Sequence, residues 1–164
     1  MPLCRGRAVG LEQQTMKDVT DILISGGGIA GLAAAAAFGT AGFRVLCVDP
    51  APPVTDSGDD RADLRTTAFL QPARAFLSAA GLWPRIAPHA APLQVMRIID
   101  AGGDTPEARY SADFDAADIS EESFGWNLPN WLLKREFAAR LADLPNVQFR
   151  PGNGTTSLLT RDAE

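Results

Sequence analysis

Three glycines, Gly26, Gly28 and Gly31, stand in a G-x-G-x-x-G spacing, and Asp49 follows about twenty residues further on. Each residue type has a chemical use at its place. The first glycine permits a tight turn, the second lets a diphosphate approach bare main chain, and the third lets a helix lie close against a strand. A helix opening at that corner turns unpaired N–H groups and its dipole toward an anion, the dipole contributing about 0.3–1 kcal/mol and up to ~2 kcal/mol in partly buried geometry. A carboxylate at Asp49 can accept both hydroxyls of an adenosine ribose. It would also repel a 2′-phosphate with a gross Coulomb energy on the order of 4 kcal/mol at intermediate dielectric, which selects NAD or FAD over NADP. Two plainer readings stand beside this one: a simple tight turn for the glycines and a solvated strand-end carboxylate for Asp49.

The spacing carries weight only if a strand precedes it and a helix follows. Residues 19–25 are apolar and β-branched and end in glycines, which predicts a buried parallel strand. Residues 30–41 are rich in alanine, the best helix former, with Gly42 as a C-terminal stop. A second short strand is expected at 44–48, then a loop at 49–63 with three prolines. Helix resumes near Gln71, with Ala73, Phe76, Leu77 and Ala80 at helical spacing until Gly81, and the proline-rich stretch after it breaks the pattern. Residues 93–100 read as a strand, paired back on "EARYSAD" as a hairpin outside the first sheet. A last helix over 131–143 sets Leu133, Phe137, Leu141 and Leu144 on one face, and Pro145 stops it before the strand "VQFR". The order is β-α-β, a long insertion, then α-β. The fold class is α/β, a Rossmann-like βαβ domain with a parallel sheet and an inserted β-hairpin. The domain spans 18–164, and residues 50–128 are the insertion on the substrate side.

Composition narrows the rest. The chain has 164 residues, 46% hydrophobic and 21% charged, ordinary for one globular domain. A net charge of −5 with no basic run argues against nucleic acid as a partner. Cys4 and Cys47 make neither a metal cluster nor a disulfide framework and read as a tail thiol and a reduced core thiol. No metal site is expected, and His89, the only histidine, is assigned no role. Residues 29–48 form an apolar window with one charge, Arg44. A membrane span is rejected there, because alanine and glycine gain little from lipid, Gly39 and Gly42 mark a turn, and the arginine would sit where a charge is costly. Residues 1–17 lack the apolar core of a secretory signal and are expected to be a leader outside the fold, with Met16 a second possible start.

Beyond the glycine corner, three segments carry a resemblance: "DLRTTA" with Arg65, "GLWPRIAPHAAPL", and "FGWNLPN" before the last helix. From about Asp18 to Phe149 the chain resembles the ubiquinone-biosynthesis hydroxylases. These are the UbiH/UbiF/VisC group of FAD-dependent aromatic monooxygenases, relatives of para-hydroxybenzoate hydroxylase. The resemblance implies that Gly26, Gly28, Ile29, Ala30, Gly31 and Asp49 bind the ADP half of FAD. Arg65 matches the arginine along the flavin side of the cofactor, where a cation balances the diphosphate. Asn130 stands where relatives place an amide beside the cofactor. The residues alone leave Arg65 readable as a surface arginine in an acidic loop and Asn130 as a helix N-cap.

The implied activity is hydroxylation of a polyprenylated phenol in ubiquinone biosynthesis with O₂, NAD(P)H being the co-substrate that reduces the flavin. The flavin carries the hard chemistry and the protein supplies orientation and water exclusion, which fits the lack of any catalytic nucleophile–base pair. Such a substrate implies a cytoplasmic protein working peripherally at the inner membrane, beside other proteins of the pathway. Family members are more than twice as long, so the sequence is expected to be the N-terminal part of a longer monooxygenase, binding FAD weakly and not turning over by itself. An NAD-binding dehydrogenase fragment and a non-catalytic dinucleotide-binding module share the glycine corner and stay open as alternatives.

Overall fold

The computed structural model describes residues 19–103, 107–119 and 122–155. The expected leader and Cys4 lie outside the described residues. The chain runs through β1 (Ile22–Ser25), α1 (Ile29–Thr40), β2 (Val45–Asp49), β3 (Thr66–Leu70), α2 (Gln71–Ala79) and a short α3 (Trp83–Ile86). It continues through β4 (Ala91–Leu93), β5 (Val95–Ala101), β6 (Ala108–Asp115), β7 (Gly125–Pro129), α4 (Asn130–Ala142) and β8 (Val147–Pro151).

Three sheets result. The first is parallel, in the order β1-β2-β8, with Ile24 beside Cys47 and Cys47 beside Phe149. Parallel neighbours require crossovers, and α1 and α4 supply them. The alanines of α1 keep that helix thin, so Leu32, Ala33, Ala35 and Ala36 are buried where it packs on α4 and the sheet. From α4, Leu133, Phe137 and Leu141 are buried and Leu144 packs on their edge, the face its spacing predicts. The apolar window at 29–48 is divided between a helix and a strand, and no helix among the described residues is long and apolar enough to cross a membrane.

The second sheet, β3-β7-β4, is antiparallel and was not legible in advance. Its strands are three to five residues long and two of them abut a helix directly, β3 running into α2 and β7 into α4, so no turn residues bound them. Leu128 and, from α2 and the turns after it, Leu77, Leu82 and Ile86 join this sheet to the same core as the first. Phe76, expected on the inner face of α2, is instead exposed. On the other side of α2 the Arg74 guanidinium lies over the rings of Trp126 at 4.7 Å and Trp83 at 5.5 Å. The third sheet is the β5–β6 hairpin, paired from Val95–Asp115 to Ala101–Ala108 and separate from the first sheet, as anticipated. Met96, Ile98, Ile99, Tyr110 and Phe114 are all exposed along it.

The entry into β1 is clamped by charge. Asp21 accepts from the backbone N–H of Arg44 at 2.8 Å and from its guanidinium at 3.0 and 2.6 Å. These bonds, the side-chain one foremost, lower the Asp21 carboxyl from 3.8 to about 2. A carboxylate depressed by folding contributes stability that is in place above its unfolded value and is lost as pH falls through the folded one. The urea midpoint is therefore expected to hold from pH 7 to about 4 and to fall between there and about 2. Asp21→Asn should lower the neutral plateau and make the acid limb shallower, as read by urea titrations at pH 7, 4 and 2.5.

Candidate functional site

α1 leads into β2 and α4 into β8 through short turns, so each helix runs back along its strand and begins at the carboxyl end of the parallel sheet, where α/β folds of this kind hold ligands. The chain leaves β1 through Gly26, whose φ of 119° is a conformation that favours glycine, while the Gly26 N–H donates to Val48 O at 2.8 Å. Two residues on, Gly28 precedes α1 with extended backbone (φ −73°, ψ −179°). The helix has no side-chain cap and no acidic residue in its first turn. Its ladder opens with Leu32 N–H donating to Gly28 O at 2.9 Å, so the N–H groups of Ile29, Ala30 and Gly31 precede it. A Cβ on Gly28 would meet nothing within 4 Å, whereas one on Gly31 would stand 1.9 Å from Gly26 O. The first position is open and the second is a close approach of helix to strand end.

Asp49 ends β2 and turns back to the same corner. Its Oδ2 accepts from Gly27 N–H at 2.6 Å and its Oδ1 from Ala51 N–H at 2.9 Å. These two bonds, Ala51 first, with a smaller pull from Lys134 on α4, hold its carboxyl below the usual carboxylate range. Gly27 was missed by the motif, which treats it as a free position. It is required because a Cβ there would lie 2.9 Å from both Asp49 Cβ and the Phe149 ring. The run of three consecutive glycines was the available signal. Behind the corner, Cys47 is buried and its Sγ lies 3.7 Å from Gly26 O. Burial, with the Asp49 charge second, pushes this thiol up, so it stays protonated and inert, in keeping with a core thiol.

Arg65 and Asn130 are brought together at the start of α4. Asn130 N–H donates to Arg65 O at 2.9 Å. Asn130 is not the N-cap: Pro129 holds that position, and the buried Asn130 amide is the first residue of the helix. Its Oδ1 accepts from Thr67 Oγ1 at 2.6 Å and its Nδ2 donates to Asp63 at 3.0 Å. The Arg65 guanidinium is a surface group, 83% exposed, and is paired with Asp63 at 2.8 Å. Asp63, Thr67 and Lys134 were not singled out from the sequence.

A parallel sheet with a glycine corner opening an uncapped helix, and an acid at the end of the next strand, defines a dinucleotide-binding α/β protein. The match to known families is specific: residues 19–164 fit the FAD binding domain model FAD_binding_3, and the chain belongs to that family, so its dinucleotide is FAD. Among curated proteins it is 29% identical over 153 residues to a ubiquinone hydroxylase, UbiL, of Rhodospirillum rubrum, covering 88% of this chain and 34% of that protein. It is also 31% identical over 123 residues to a 3-(3-hydroxy-phenyl)propionate/3-hydroxycinnamic acid hydroxylase of Comamonas testosteroni, covering 73% of this chain and 18% of that one. Among solved structures, p-nitrophenol 4-monooxygenase PnpA of Pseudomonas putida superposes with a TM-score of 0.68 at 24% identity, over 88% of this chain and 34% of that one. The chain thus spans about a third of the first relative's length and under a fifth of the second's. The family is that of the FAD-dependent aromatic hydroxylases. UbiL is a relative from the narrower ubiquinone-hydroxylase group.

Proposed function

We propose that this chain is the FAD-holding part of a flavin-dependent monooxygenase that hydroxylates a phenolic ring. The observation that carries this is the corner itself: bare main chain at Gly28, an uncapped helix tip behind it, and Asp49 fastened to Gly27 at 2.6 Å. These groups fit the ADP half of FAD. The diphosphate would lie on Gly28 and the N–H groups of Ile29, Ala30 and Gly31, with the helix dipole favouring its charge. Each Asp49 oxygen has a lone pair beyond the one its backbone donor uses, enough to accept the ribose hydroxyls. Arg65 and Asn130, at the head of α4, would face the flavin side. Bound FAD supplies electron transfer from NAD(P)H and the reaction of reduced flavin with O₂.

The substrate class is argued from what the relatives are called. One is named a ubiquinone hydroxylase and the other a hydroxylase of hydroxyphenyl acids, and hydroxylation of an oxygen-bearing ring is the reading that both names support. UbiL supports a polyprenylated phenol, which would bring the protein to the surface of the inner membrane beside other ubiquinone-biosynthesis proteins.

The test is a titration of the purified chain with FAD, FMN and NAD, followed by flavin fluorescence or equilibrium dialysis. FAD should bind, ADP should displace it, and FMN, lacking the AMP moiety, should bind at least tenfold more weakly. Asp49→Ala should weaken FAD about tenfold, the loss of one charged hydrogen-bonding partner. NAD binding as tightly as FAD, or ADP failing to compete, would refute the reading in favour of a dehydrogenase fragment or a different site.

A further inference from the structure

Between Arg65 and Asn130 stands a carboxylate to which neither the motif nor the proposed function gives a part. Asp63 Oδ1 accepts from Arg65 Nε at 2.8 Å and from Arg65 N–H at 3.2 Å, and its Oδ2 accepts from Arg65 Nη2 at 2.9 Å and from Asn130 Nδ2 at 3.0 Å. Its side chain is 19% exposed against 83% for Arg65, so the guanidinium is aimed by this carboxylate and not by packing. A carboxylate only accepts, which dictates that Asn130 turns Nδ2 and not Oδ1 toward it, and the Thr67 hydroxyl on the other side completes the choice. Nη1 of Arg65 and the second N–H of Nη2 are left pointing away from the pair. The Arg65 bond first and the Asn130 bond second keep the carboxyl well below the usual range, so it stays charged under any ordinary assay condition.

We propose that Asp63 is a positioning residue for the cofactor: by bridging Arg65 and Asn130 it fixes the direction of the guanidinium and the O/N orientation of the amide that FAD meets. This rests on the FAD reading above. Removing the carboxylate also removes a negative charge, which by itself favours a diphosphate. That gain is small, because Asp63 is already paired with Arg65 and the field beyond the 83% exposed guanidinium is screened by water and salt.

The experiment is a double-mutant cycle on FAD affinity with Asp63→Asn, Arg65→Ala and the pair, accompanied by thermal melts of the cofactor-free chain. Asp63→Asn, which keeps the shape and scrambles the hydrogen-bonding choice, should weaken FAD about tenfold, and the double variant should be no more than about threefold worse than Arg65→Ala alone, because the two act on one contact. Asp63→Glu, which retains the acceptor charge, should recover most of the loss; a residue that merely packs would tolerate the longer Glu less well than Asn. If Asp63→Asn does not fold, Asp63→Ser takes its place with the same expected loss. Wild-type affinity in Asp63→Asn, fully multiplicative losses in the cycle, or Glu ranking below Asn would overturn the proposal while leaving the FAD site intact. A wild-type chain that takes up no FAD would overturn both.

Discussion

Gly28→Asp is expected to make the cofactor-free chain more stable and to abolish FAD binding. The two effects have the same origin. Gly28 sits at the N-cap of α1 with an extended backbone that any residue adopts, and a Cβ there would meet nothing within 4 Å. An aspartate at this position can accept from the first-turn N–H groups and complement the helix dipole, stabilising the chain by about 0.5–1 kcal/mol. The same carboxylate would fill the space and occupy the donors assigned to the diphosphate. Two like charges at close approach and intermediate dielectric repel by about 4 kcal/mol, so a loss of at least about 100-fold in FAD affinity follows even after screening. Thermal melting of the apo chain and FAD titration read the two signs separately. A Gly28→Asp variant that still binds FAD would place the cofactor elsewhere; one that fails to fold would mean the corner is not open.

Opposite signs at one residue separate a position kept for a ligand from one kept for the fold. Asp115 caps the short helical turn at 116–118 by accepting from Ala117 N–H, whereas α1, α2, α3 and α4 all start without a side-chain cap. What sets α1 apart is a bare N-cap, Gly28, where α2, α3 and α4 have Leu70, Leu82 and Pro129. A bare glycine at a position where a capping side chain would fit is a local rule broken where a function is served. The acid that might have capped it is instead at Asp49, one strand over, bonded to Gly27 and aligned with the corner.

The glycine corner was legible because each of its requirements is local. A strand, three glycines, an alanine helix and an acid at the next strand's end are all read within residues 19–49, and the structure builds them within one residue of expectation save for the first strand, which starts at Ile22, three residues later than expected. The hairpin at β5–β6 and the inner face of α4 were legible for the same reason, period and turn chemistry being short-range signals. What was not legible depends on partners distant in sequence. The strand β7 follows Ser123 and Phe124 without an alternating pattern and exists because β3 and β4 flank it, over fifty and over thirty residues earlier in the chain. The network at Arg65 was half visible: the arginine and Asn130 came from resemblance, but Asp63 and Thr67 gain meaning only when β3 is laid beside β7 and the head of α4 reaches both. The alternative reading of Asn130 as an N-cap fails because the helix starts one residue earlier than expected, at Asn130 itself, a boundary that the sequence does not mark.

Gly31→Ala is the second large effect, and here too the sign runs against propensity. In an open helix interior, replacing glycine with alanine stabilises by about 1 kcal/mol. Gly31 is in α1, so propensity alone forecasts a gain. Yet its Cβ would stand 1.9 Å from Gly26 O and 3.0 Å from Gly26 C, and real atoms do not approach so closely. Were the obstacle the end of a flexible side chain, it would swing aside at little cost. Backbone cannot do so: Gly26 is tied to Val48 O through its N–H, and Ile24 Cγ2 lies 3.5 Å away on the strand side, so α1 must lift off β1 by more than an ångström. Lifting it opens the contact of Leu32, Ala33, Ala35 and Ala36 with the sheet and α4, all of them buried. Overpacking of this kind costs about 3 kcal/mol or more, outweighing the propensity gain, and a chain whose whole stability is on the order of 5–15 kcal/mol feels it strongly. The urea midpoint of Gly31→Ala is expected to fall well below that of the wild type with little change in slope. FAD affinity should fall with it, because the helix tip moves away from the corner it serves. A midpoint equal to or above that of the wild type would mean that α1 does not lie as close to β1 as the structure has it.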